Sequence, residues 1–152
     1  MPAPMDLLES LQQLDIQSIC ENVLKNNEEV MADLNAAQLA QGIRTDGSEI
    51  TPAYAPLTVE LKSEKSGLAG VTDHVTLFDT GDYYKGLYAE VKGEVIEFGS
   101  TDEKSAALNE KYATRKAQIE GLTIDSRDEL ASGFLAPQFN EAVEEQTGLK
   151  FQ

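Results

Sequence analysis

Val75–Ser100, VTLFDTGDYYKGLYAEVKGEVIEFGS, decides the fold. An apolar run, Val75-Thr76-Leu77-Phe78, meets a turn-forming Asp79-Thr80-Gly81-Asp82 and a short aromatic stretch, Tyr83-Tyr84-Lys85-Gly86. Two alternating segments follow, Leu87–Lys92 and Glu94–Phe98, with Gly93 between them. Leu87, Ala89 and Val91 fall on one strand face. In the second segment Val95 and Glu97 share one face, Ile96 and Phe98 the other. Alternation with period two and a glycine at the joint predicts an antiparallel hairpin. This hairpin is the sheet core on which flanking helices are expected to pack.

On its N-terminal side, Met5 to about Leu39 reads as one helical segment, with Asn26-Asn27 as its weak point. Leu7, Leu8, Leu11 and Leu14 begin an apolar stripe that Ile16, Ile19, Val23, Val30 and Leu34 continue. Gln, Asn, Glu and Asp form the expected outer face. So long a helix can dock on a neighbouring subunit or pack on its own sheet. Gly42 has the place of the residue that ends a helix in the left-handed conformation. Asp46-Gly47 is a turn signal flanked by Ile43 and Ile50, predicting a small hairpin or an extended loop. Thr58–Lys65 reads as a short helix and Ser66–Gly70 as a flexible loop. Lys62 and Lys65 are a basic pair in an acidic chain.

On the C-terminal side, Ser100 with Glu103 and Ser126 with Glu129 have the spacing of capping boxes. The first predicts a helix to about Tyr112 that buries Ala106, Ala107 and Leu108. The second starts a terminal helix through Leu130, Phe134, Leu135, Phe139 and Val143, with a kink at Pro137 and an end near Gly148. The expected fold is α+β: one domain over 1–152, with an N-terminal helical segment (1–40), an α+β core (41–122) around a small, mainly antiparallel sheet, and a C-terminal helix (123–152).

The net charge of −15 over 152 residues opposes direct grip on nucleic-acid phosphates, which takes clustered Lys and Arg. It disfavours an anionic membrane surface as well. Nothing approaches the roughly 18 apolar residues of a membrane span, and the N-terminus lacks the basic and apolar regions of a secretory signal. Such charge serves solubility, or a surface past which DNA slides without sticking. With one cysteine, Cys20, no internal disulfide can form.

No catalytic constellation is expected. Phe78-Asp79-Thr80-Gly81 resembles the aspartic-protease signature, in which one carboxylate of a shared-proton pair activates water. The single copy restricts that reading to a homodimer using Asp79, and Asp82 stands where that family has Ser or Ala. The plainer reading is a turn: Asp79 accepting backbone hydrogen bonds, Gly81 taking an unusual φ, Thr80 or Asp82 capping the next turn. His74 is the single histidine, so no histidine-based triad or multi-histidine zinc site can form within one chain. Cys20 is expected as a packed thiol. Neither phosphate-binding glycine loop nor calcium-loop ligand ladder occurs. No cofactor and no metal are expected. Tyr83, Tyr84 and Tyr88 suit core or interface packing better than base stacking.

The order of these motifs carries a resemblance. Gln38-Leu39 with Gly42 precedes Asp46-Gly47 and Ile50, then Pro52 and Tyr54, then Thr58 and Lys62. Val75-Thr76-Leu77 leads into Asp79-Thr80-Gly81-Asp82-Tyr83-Tyr84. Ser100, Asp102, Lys104, Leu108 and Tyr112 come next, then Ile119-Glu120-Gly121-Leu122. This succession, over about residues 38–122, resembles small virion proteins of tailed phages, especially phages and prophages of Bacteroidetes. It is similar to the wider group of virion-morphogenesis, tail-completion and head–tail-joining proteins. The chain departs from that pattern in its acidic balance and at Ile119-Glu120, where a second aromatic or apolar residue is expected.

The resemblance implies a structural protein, located in the virion and assembled in the host cytoplasm. It implies a homo-oligomeric ring at the neck or tail end. Its partners would be portal, adaptor, tail-tube or tail-terminator proteins, with no membrane and no specific nucleic-acid binding, though DNA could pass through the lumen. The loops Ile43–Pro56 and Ser63–Asp73 are then the natural contact segments. The residues expected at interfaces are Ile43, Arg44, Asp46, Tyr54, Lys62, Lys65, Tyr83 and Tyr84. The alternatives to this role are the Asp79 protease and an acidic host-factor-binding protein that mimics DNA.

Overall fold

The computed structural model describes residues 4–150. The fold is α+β, with helices around a small antiparallel hairpin. The N-terminal helical segment is divided in three: α1 (Pro4–Gln12), α2 (Ile16–Lys25) and α3 (Glu28–Ala40). The break at Asn26-Asn27 falls at the predicted weak point. The break after Gln12 departs from the single segment expected. Its cause is Asp15, whose carboxylate accepts from the Ser18 amide at 3.0 Å and the Ser18 hydroxyl at 2.8 Å, capping α2.

The helix α3 ends as its sequence predicts. Gly42 has φ +76°, its amide donates to Leu39 O, and the Ile43 amide reaches Gln38 O at 3.2 Å. His74 closes over this end, its Nε2 2.8 Å from Ala40 O. The Asp46-Gly47 turn forms, with Gly47 at φ +83° and an isolated bridge between Ile43 and Glu49. Then come α4 (Pro56–Ser63) and a 3₁₀ turn (Gly67–Gly70) where the sequence predicts a flexible loop.

Val75–Phe78 forms no strand, and its backbone turns at Leu77, which has φ +59°. The aromatic stretch after it is a short helix, α5 (Asp82–Gly86), entered through Gly81 at φ +91°. The strands β1 (Leu87–Lys92) and β2 (Val95–Ser100) pair antiparallel in the register Leu87↔Ser100 to Lys92↔Val95, joined by a two-residue turn, Gly93-Glu94. The faces fall as the alternation predicts: Ala89 and Val91 are buried, Ile96 and Phe98 half-buried, Val95 and Glu97 exposed. Helix α3 lies along β1, and Glu28 at its start accepts from the Val91 amide at 2.6 Å.

Neither predicted capping box forms. Ser100 Oγ instead donates to Tyr83 O at 2.9 Å and accepts from the Asp102 amide, and α6 (Ser105–Tyr112) begins later. It buries Tyr112 but leaves Ala106 and Ala107 exposed. The C-terminal helix starts at Ile124, capped by Thr123 Oγ1 accepting from the Ser126 amide at 3.1 Å, so Ser126 lies inside it. Its segments are α7 (Ile124–Leu130), a π turn (Ala131–Leu135) and α8 (Ala136–Thr147), ending at Gly148. The irregularity sits one turn before Pro137, whose missing N–H and bulky ring disturb the ladder there. In this way the predicted kink is a widened turn.

Apolar burial forms three adjoining clusters. Leu39, Ile50, Val75, Leu77, Tyr112 and Ile119 lie among the inner loops. Met31, Val91, Leu122 and Leu130 join α3, the hairpin and α7. Ile19, Val23 and Val143 join α2 to α8. Asn27, 2% exposed, ties the α2–α3 corner to α8 through a reciprocal amide pair with Gln138 at 2.8 and 3.1 Å.

Candidate functional site

The segment that decides the fold also forms one wall of a cleft of about 320 Å³. Two tyrosines fix that wall. Tyr54 OH accepts from the amides of Thr76 and Leu77 at 3.0 and 3.1 Å, and Tyr84 OH donates to Thr76 O at 2.6 Å. Thr76 is fully buried, and Leu77 is held at φ +59°, a conformation a leucine adopts at some energetic expense. The direction of the Asp79–Asp82 turn is set by this clamp. Phe78 and Tyr84 meet edge to face with centroids 4.9 Å apart.

Helix α4 supplies the opposite wall and Lys62; Lys65 lies just past its end, and Lys104 precedes α6. Lys62 is buried; its ammonium donates to Phe78 O at 2.6 Å and lies 5.0 Å from the centre of the Tyr54 ring. Lys65 forms an ion pair with Asp79. That hydrogen bond is the main reason the Asp79 carboxyl titrates below its usual range, with further attraction from Lys62 and Lys104. Three lysines therefore gather about one carboxylate in a chain with only twelve Lys and Arg. Leu61, Leu77, Leu108 and Tyr112 give the cleft an apolar lining. The Tyr83 hydroxyl is buried; burial raises its pKa, and the Glu120 carboxylate adds to the rise.

Asp79 is a turn residue, but its partner is the Lys65 side chain where backbone amides were expected. Gly81 takes the predicted unusual φ, and Thr80 Oγ1 donates to Asp82 at 2.9 Å. Cys20 is exposed, not packed as expected; it lines the rim of an apolar groove with Val23, Leu24 and Phe139. Among the described residues no group of three His, Cys, Asp or Glu is placed to hold a metal, and no helix is long and apolar enough to cross a membrane.

The eight residues expected at interfaces divide by position. Tyr54, Lys62, Lys65 and Tyr83 line the cleft, and Tyr84 braces it from behind. Asp46 is exposed at its turn, and Ile43 is half-buried beside it. Arg44 belongs to the interior. It is 5% exposed, and its guanidinium donates to Tyr112 O at 2.7 Å, Glu49 O at 2.6 Å and Thr51 O at 2.9 Å. Asn35 and Gln38, which sequence reading places on an outer face, are buried as well. Asn35 pairs with Ile119 O and the Gly121 amide, and Gln38 with Gly121 O and the Thr123 amide, at 2.9 to 3.2 Å. Spaced by three on α3, the two amides hold Ile119–Thr123 much as a neighbouring strand would.

The exposed surface has its own pattern. On α1, Met5, Leu8 and Leu11 are 75%, 49% and 43% exposed, and no residue of this helix is buried. On α4, Leu57 and Leu61 are 66% and 58% exposed. Comparison with protein-family models, with curated proteins and with solved structures gave no match. Charge, fold and surface together define an acidic α+β protein with an amphipathic cleft that bears Lys62, Lys65 and Lys104, and with helices α1 and α4 presenting leucines to solvent.

Proposed function

We propose that this chain is a structural protein of a tailed-phage particle. It forms a homo-oligomeric ring at the neck, the head–tail junction or the tail end, and it acts through protein–protein contact without catalysis. Portal, adaptor, tail-tube or tail-terminator proteins are the partners of such a ring, and the virion is its location. The observation that carries the reading is the exposed apolar surface on α1 and α4, on a body otherwise strongly charged. Large apolar side chains grouped in this way are what a subunit interface buries. The order of motifs over residues 38–122 supplies the phage context. A lumen lined by Asp and Glu would repel DNA phosphates and let the genome pass.

Quantitative mass spectrometry of purified particles tests this reading. A copy number matching a closed cyclic ring is the expected result. Hundreds of copies would move the chain to the tail tube or capsid, and absence from particles would overturn the reading.

A further inference from the structure

We infer that helix α1 of one copy seats in the lysine-bearing cleft of a second copy, making a head-to-tail contact. The inference rests on the reading of the chain as a self-assembling part, and it names the two surfaces that meet. The donor is α1. Met5, Leu8 and Leu11, spaced by three, project to its outer side, while Leu7 and Ser10 turn inward. Asp6 and Glu9 flank the outer stripe, and α1 carries no basic residue. The receptor is the mouth between α4 and the Asp79 turn. Leu61 and its neighbour Leu57 give it an exposed apolar rim, and Lys62, Lys65 and Lys104 give it positive charge.

Charge complementarity is the argument for a second copy as the occupant. The chain is acidic overall, yet this mouth sets three of its cations, Lys62, Lys65 and Lys104, against two carboxylates, Asp79 and Asp82. The donor stripe is apolar with two acids at its border, matching that mouth in both respects. Donor and receptor are different patches of one surface, so the contact is heterologous. It generates a ring if the rotation closes and a filament if it does not.

The test uses the full chain in solution. Light scattering after size exclusion should show an oligomer that Leu8→Asp weakens by roughly tenfold or more. A paired Lys65→Glu and Lys104→Glu variant should lose association too, and regain it when mixed with an Asp6→Lys and Glu9→Lys variant. Because Leu8 is exposed, the unfolding midpoint of Leu8→Asp should stay unchanged, and recovery of association on mixing shows that both charge variants remain folded. In a Cys20→Ser background, Leu8→Cys protein mixed with Leu61→Cys protein should form a linked heterodimer with diamide as oxidant. Ile124→Cys, exposed on α7, serves as the control partner and should not link. A monomeric wild-type chain, association indifferent to both sets of changes, or linkage no greater than the control would overturn the inference. Particle copy number is a separate readout, so the proposed place in the virion and this contact can fail independently.

Discussion

The loop cage around Arg44 and the outer side of α1 treat polarity in opposite ways. In the cage, a guanidinium and two amides are buried, and each meets backbone carbonyls or amides at hydrogen-bond distance. On α1, three large apolar side chains stand in water. Buried polar groups cost stability unless every one is paired, so the cage specifies a single loop arrangement. Exposed apolar groups cost the monomer little and reward whatever covers them. The difference teaches where to look: the cage determines the shape of the chain, and the exposed helix is where the proposed contact is to be tested.

This contrast can be broken or sharpened by substitution. The largest effect should come from Arg44→Met, which leaves three carbonyls of the cage without their donor. A loss of about 3–4 kcal/mol in urea unfolding is expected, and a loss under about 1 kcal/mol would mean that water replaces the guanidinium. Gln38→Leu and Asn35→Leu should each cost about 2 kcal/mol. Because both hold the same segment, the double variant should cost less than the sum of the singles. Gly42→Ala should cost about 1–2 kcal/mol, since its Cβ would meet His74 Cδ2 at 2.8 Å with φ at +76°.

His74 gives a smaller, pH-dependent effect. Its Nε2 faces Ala40 O and its Nδ1 faces an Asp73 carboxylate oxygen at 2.8 Å, and both of these oxygens only accept. The geometry therefore asks for the doubly protonated ring, at a helix C-terminus where a cation is favoured. The bond to Ala40 is the main cause of its raised pKa, with Asp73 adding to it. A pKa raised in the folded state makes this stabilisation fully present below the unfolded value of 6.5 and lost as pH rises through the folded value. Thermal unfolding should then show a decline of up to about 1 kcal/mol over that window, absent in His74→Gln. At the small end, Leu8→Asp should leave monomer stability within about 0.5 kcal/mol. A larger loss would show that α1 belongs with the cage after all.

What the sequence makes legible depends on the range of each interaction. The hairpin, the end of α3 at Gly42, the Asp46-Gly47 turn, the corner at Asn26-Asn27 and the end at Gly148 depend on neighbours a few residues away. Their local chemistry is enough to place them. Asp15 and Thr123 are equally local caps, signalled by Ser18 and Ser126 three residues on. The Ser100 and Ser126 boxes compete with them as signals. The burial of Asn35, Gln38 and Arg44 cannot be read, because their partners lie 68 to 86 residues away for all but the Ser48–Thr51 bonds. Of the cleft, the Lys62 and Lys65 pair and the Gly81 turn stand out in the sequence. Only folding shows that Lys65 meets Asp79, fourteen residues on.

The contact between Glu28 and the Val91 amide has a consequence for growth. An exposed strand edge offers its amides to any passing chain, and uncontrolled polymers propagate in that way. Here a carboxylate already occupies one of those amides from the outside, on the edge that α3 lies along. A strand arriving to extend the hairpin past β1 would have to evict Glu28 before it could bond the Val91 amide. Sheet extension on that side is thereby opposed by a charge already in place.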